Sequence, residues 1–209
     1  MRGTRPDLRL GAALEFKKPI LRAIYQSVFA PAKLVRDKAA YAFATQRGWT
    51  LIVARWAYCS IIFQFRDYHG RWKPFQPPPF GLTIDAYASF ERGLALPFGV
   101  ALMLILTAGM VVYLRHLRKP AFFAPVLNTL GVAFFLPFVL VQPCDQLIMA
   151  LAGWRLLPVA ALHTATLAWE SLAATGILSE IHGLSRMERV QGSVLLIGLW
   201  IAIAGPAWR

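Results

Sequence analysis

Four stretches of this sequence run for about the length of a bilayer's hydrocarbon core with hardly a charge in them: Leu94 to Leu114, Phe122 to Val141, Leu156 to Leu178, and Val190 to Trp208. A helix rises about 1.5 Å per residue and needs about 20 mostly apolar residues to cross, so each stretch reads as a membrane span. A fifth, Gly48 to Phe65 ("GWTLIVARWAYCSIIFQF"), is shorter and carries Arg55. Its length alone fits a span, a re-entrant segment or an interfacial helix. Composition agrees with a membrane chain: 57% of residues are hydrophobic and 15% charged, with a mean hydropathy of +0.52. That is too apolar for an ordinary soluble domain of this size.

Charge then orients the spans. The net charge of +12 could point to nucleic acid, but ten of the basic residues precede residue 48 and the later ones punctuate apolar blocks. That distribution suits anionic lipid headgroups, and nucleic acid is excluded as a partner. Short cytoplasmic loops carry excess Lys and Arg. Five spans with a cytoplasmic N-terminus put the N-terminal segment, the "RHLRK" turn at 115–119 and the "SEIHGLSRMER" turn on one side, fifteen basic residues against six on the other. If 48–65 did not cross, the "RHLRK" turn would be forced outside. The expectation is an all-α integral membrane bundle: a basic N-terminal segment, 1–47, then a bundle over 48–209 with spans at about 48–65, 94–114, 122–141, 156–178 and 190–208.

Local signals refine the boundaries. In "HGLSRMER", Gly183 stands where a helix stops, and Ser185 and Glu188 have capping-box spacing, which predicts a tight turn between the last two helices. Pro137 lies deep enough in its span to bend it. Arg9, Lys17, Lys18 and Arg22 interrupt the first 30 residues, so no cleaved signal peptide is expected. Ile20, Ile24 and Val28, with Leu21, Tyr25 and Phe29, recur at helical spacing before Pro31. With Lys17, Lys18, Arg22, Lys33, Arg36 and Lys38 they read as an amphipathic helix on the cytoplasmic membrane surface, the competing reading being a helix docked on a partner subunit. The outer loop, 66–92, has prolines at 74 and 77–79, while Tyr68, Trp72, Phe75 and Phe80 supply aromatic surface for headgroups or a partner.

Candidate chemistry is sparse. No nucleophile elbow, phosphate-binding loop, dinucleotide fingerprint or zinc signature occurs, so no catalytic residue, cofactor or metal is expected. Asp67 and His69 lack companions for a metal, Cys59 and Cys144 are too few for a disulfide framework, and His116 and His182 suit helix ends. Glu170 is different: it has no charged neighbour for seven residues on either side, in the middle of an apolar run. An intramembrane charge costs about 2.5 to 3.5 kcal/mol on insertion scales and so faces the bundle and finds a partner. Arg55 lies at similar depth from the cytoplasmic side, which predicts an Arg55–Glu170 pair between the first and fourth spans. His163, seven residues before Glu170 and on the same face, adds a polar neighbour. Three readings compete: a structural clamp, favoured because opposite charges neutralise each other, contact with another subunit, and a proton or ion path through His163 and Glu170.

The second half resembles the Yip1 family of small multi-span membrane proteins. The likeness rests on "YASFERGLALPFGVALMLIL", "NTLGVAFFLPFVLVQPCD" and above all "LAWESLAATGILSEIHGLSRMERV". In bacterial members a tryptophan-containing helix ends in a similar His-Gly-Leu-Ser stretch with a basic residue, matched by Trp169, His182, Gly183, Leu184, Ser185 and Arg186. The resemblance covers about residues 85–209 and implies five spans with a cytoplasmic N-terminus. The Asp-Leu-Tyr-Gly-Pro stretch of eukaryotic trafficking members is absent, so that role does not carry over. The sequence therefore leads to the expectation of a non-enzymatic membrane protein acting by binding, an accessory or assembly subunit of a larger bacterial inner-membrane complex. The alternative is a transporter or channel component with a Glu170/His163 path.

Overall fold

The apolar stretches fall largely within helices of the computed structural model, which describes residues 8–65, 81–152 and 156–205. In chain order the helices are α1 (Leu8–Phe29), α2 (Pro31–Arg36), α3 (Lys38–Gln46), α4 (Trp49–Gln64), α5 (Ile84–His116), α6 (Phe123–Ala152), α7 (Leu156–His182) and α8 (Arg186–Ala204). The described residues form no strand. Helices satisfy their own backbone, the condition that an apolar solvent imposes. Among the described residues three helical stretches are long and apolar enough to cross a membrane, Ile84–His116, Phe123–Ile148 and Arg186–Ala204, which indicates a membrane protein.

α6 is the central element. It packs against α4, α5 and α7 and also receives α1 and α3, while α8 closes the bundle against α5 and α7. At its first turns α6 crosses the start of α4 without room for a side chain. A Cβ on Gly48 would fall inside the Asn128 carbonyl, and one on Gly131 would fall inside the Gly48 carbonyl. The two glycines therefore set how closely these backbones approach.

Two helix ends share one end of the bundle. Gly183, at φ +62°, ends α7, with the Gly183 and Leu184 amides donating to the Ser179 carbonyl at 2.8 and 3.3 Å. Ser185 and Glu188 then form the reciprocal capping box that their spacing predicts. α5 ends in the same manner with Arg118 at φ +57°, the Lys119 amide donating to the Leu114 carbonyl at 2.9 Å. Lys119 Nζ lies 3.4 Å from the Gly183 carbonyl and joins the turns. This is the basic end of the bundle.

The N-terminal helices pack on the bundle with one face and leave Leu21, Tyr25 and Phe29 exposed on the other. Ala23, Ile24 and Ser27 of α1 are buried, and Ser27 Oγ lies 3.3 Å from the Val132 carbonyl of α6. At the tip, Phe29 packs edge-on to Trp169 of α7, with ring centroids 6.0 Å apart. Pro31 then lies beside Gly176, and Tyr41 and Thr45 line a cleft together with Leu178 and His182. The chain thus retreats along α7 towards the basic end, while Arg22 of α1 pairs with Asp37 at 3.1 Å. Residues 20–46 form a hairpin docked on α6 and α7. Its small and apolar side chains gain more from that groove than from a surface, and Lys33, Arg36 and Lys38 remain exposed.

The other boundaries move as well. α5 begins at Ile84, ahead of the expected span start at 94, capped by the Thr83 side chain on the Ala86 amide. α6 continues through Pro137 and Pro143 to Ala152, well beyond Val141.

Candidate functional site

The polar centre of the bundle is assembled from three helices. Arg55 faces inward from α4 and Glu170 from α7, with side chains 7% and 2% exposed. Arg55 Nη1 donates to Glu170 Oε1 at 2.6 Å and to the Phe134 carbonyl of α6 at 2.8 Å. Phe134 lies three residues before Pro137, next to Ala133, whose carbonyl is the one that the proline leaves without an amide donor. The guanidinium therefore joins α4 to α7 and serves the backbone of α6. Three rings enclose it, with Cζ 4.4 Å from the Phe138 centroid, 5.4 Å from Trp56 and 5.7 Å from Phe134. Short charge-assisted bonds and aromatic faces around a dry cation offset much of its desolvation.

His163 and Glu170 share α7 and act on each other electrostatically, but they differ in exposure. Glu170 is buried, whereas the His163 side chain is 47% exposed and its Nε2 lies 3.5 Å from Asp145 Oδ1 of α6. That separation allows an ion pair when the imidazole is protonated, and the geometry is not that of a hydrogen bond. Asp145 is itself buried. Between the two levels, Thr166 is buried and returns its hydroxyl to the Leu162 carbonyl at 2.8 Å.

A second polar hub lies near the basic end. The Asn128 side chain accepts from the Trp49 amide at 2.8 Å and donates to the Thr45 carbonyl at 2.8 Å. It thus satisfies one orphan donor at the start of α4 and one orphan acceptor at the end of α3, where Gly48 has no side chain to cap with. Behind it, a cleft of about 160 Å³ is lined by Tyr41, Thr45, Phe122, Thr129 and His182 among others. Burial and the nearby Lys119 charge hold the His182 imidazole below its ordinary pKa.

The structure thus brings Arg55 and Glu170 together and sets His163 beside Asp145. Arg22 is engaged by Asp37, Lys33, Arg36 and Lys38 are exposed, and the Lys17 and Lys18 side chains lie outside the described set. Tyr68, Trp72, Phe75 and Phe80, with Asp67 and His69, lie outside the described residues. Cys59 is buried and Cys144 exposed, and neither forms a disulfide. Among the described residues no group of three or more His, Cys, Asp or Glu side chains could hold a metal ion. No protein-family model, no curated protein sequence and no solved structure matches this chain.

Proposed function

We propose that the chain is a non-enzymatic integral membrane protein of the bacterial inner membrane that acts by binding, as an accessory or assembly subunit of a larger complex such as a respiratory or photosynthetic one. The observation that carries this reading is the Arg55–Glu170 pair. Its one strong cation is bound to a carboxylate and a carbonyl and walled by rings, so its charge is used in holding helices rather than offered to a substrate. Five crossings, by α4 to α8, with the basic end cytoplasmic, suit the basic-residue distribution and the resemblance to bacterial Yip1-family proteins. α4 has 16 residues, about 24 Å of helix, short of the ~30 Å core, and the buried ion pair supports its place in the bundle. Lys33, Arg36 and Lys38 are cations available to anionic headgroups.

Extraction in mild detergent followed by native sizing tests the subunit reading. The chain is expected in an assembly well above its own 23.3 kDa, with other membrane proteins. Recovery solely as a monomer or homo-oligomer would reject it.

One observation favours a second reading, a transporter or channel component. Asp145 beside His163 extends the polar set along α7 beyond Glu170. That reading requires reconstituted protein to move an ion or solute, with loss of movement in Glu170→Gln.

A further inference from the structure

The cleft at the basic end has the two halves of a lipid site. Its interior is apolar, with Val126 and Leu178 buried at the back and Phe122 and Pro125 forming one exposed wall. Cations adjoin its lining residues in the chain. Lys119 directly precedes the lining residue Pro120, and its Nζ lies 3.4 Å from the carbonyl of Gly183, the residue after the lining His182. Arg118 stands beside it, exposed, in a left-handed conformation that glycine adopts without strain and arginine does not. Tyr41 and Thr45 of the docked hairpin supply the opposite wall. Phe122 and Phe123 are exposed at the start of α6 and Trp49 at the start of α4, and aromatic side chains of that kind favour the headgroup zone.

We propose that this cleft between α3, α6 and α7 binds one anionic phospholipid, with part of an acyl chain against Phe122, Val126 and Leu178 and the headgroup phosphate against Lys119 and Arg118. The proposal rests on the membrane reading of the chain and adds a defined site and ligand class to it. Charge complementarity selects the occupant. A neutral or zwitterionic lipid finds the same apolar walls but adds no net charge to this basic end, where Glu188 is near Lys119, whereas an anionic headgroup adds a further counter-charge. Burial first and the Lys119 charge second disfavour protonation of the lining His182, which places the Lys119 charge within electrostatic reach of this edge of the cleft. The docked hairpin is then part of a lipid site, and the lipid in turn fastens the hairpin to α6 and α7.

Native mass spectrometry of the full chain, released from detergent after addition of phosphatidylglycerol or phosphatidylcholine with identical acyl chains, tests this. One phosphatidylglycerol is expected to remain per chain, with at least about fivefold preference over phosphatidylcholine, and Lys119→Gln and Arg118→Gln should each lower retention about fivefold. Thr129→Phe fills the cleft and should abolish retention. Both cation substitutions lie at the surface and preserve the test if Thr129→Phe fails to fold. Glycerol phosphate, a headgroup without chains, should not displace the lipid. Equal retention of both lipids, unchanged retention in both cation variants, or displacement by glycerol phosphate would overturn the proposal. Failure of the membrane reading looks different: the chain would then appear in the soluble fraction of lysed cells, before any lipid is added.

Discussion

At the scale of single residues, burial decides the consequences. Removing one member of a buried ion pair strands the other, at about 3 to 5 kcal/mol, whereas removing both strands neither. Glu170→Gln and Arg55→Gln should each lower the thermal unfolding midpoint in detergent strongly, and the double variant should fall well short of the sum. Additive losses would mean that the 2.6 Å contact contributes no coupling. Arg118 offers the opposite sign. Arg118→Gly removes a strained left-handed residue, and relief of roughly 1 to 2 kcal/mol should raise the midpoint even as lipid retention falls. A parallel fall in both quantities would show that the turn carries no relievable strain.

The Arg55–Glu170 contact was legible in the sequence because isolated charges in apolar runs are expensive and therefore few, which leaves few possible partners. Asp145 was not legible. Pro143 and the end of the apolar run at Val141 read as the close of a span, yet α6 continues to Ala152 and carries Asp145 inward beside His163. Asn128 was equally hidden, since a lone amide gives no periodic signal and its value lies in the two helix ends that tertiary packing brings to it.

At the scale of elements, the junctions hold most of the specificity. Asn128→Ala leaves the Trp49 amide and the Thr45 carbonyl without their partner, and a loss of about 1 to 3 kcal/mol is expected in chemical unfolding. A change within about ±0.5 kcal/mol, the range of an ordinary surface substitution, would mean that water serves both groups equally well. Gly131→Ala should be more damaging than an alanine at Gly93, because a methyl on Gly131 meets the Gly48 carbonyl whereas one on Gly93 meets open space. Comparing the two midpoints checks this. The hairpin of α1 to α3 shows why amphipathicity underdetermines location: an apolar stripe specifies something to be covered but does not say whether lipid, a partner or the chain's own α6 and α7 will cover it. The buried, small Ala23 and Ser27 are the residues that decided for close helix contact.

At the scale of the whole molecule, length and hydropathy mark three helical stretches and electrostatics supplies the rest. α4 is short and carries Arg55, and its place in the bundle is held by Glu170, the Phe134 carbonyl and the glycine crossing with α6. The proposed five-crossing bundle with the basic end cytoplasmic requires α4 to traverse the membrane beside α6. Single-cysteine labelling tests that most directly, because the chain has only two cysteines to replace, Cys59 and Cys144. With cysteine placed singly at Lys33 and at Phe65, a membrane-impermeant maleimide is applied to sealed vesicles of known orientation. The two positions are expected to label from opposite sides, Lys33 from the cytoplasmic face and Phe65 from the other, and labelling of both from the same side would contradict the crossing of α4 and with it the five-span bundle.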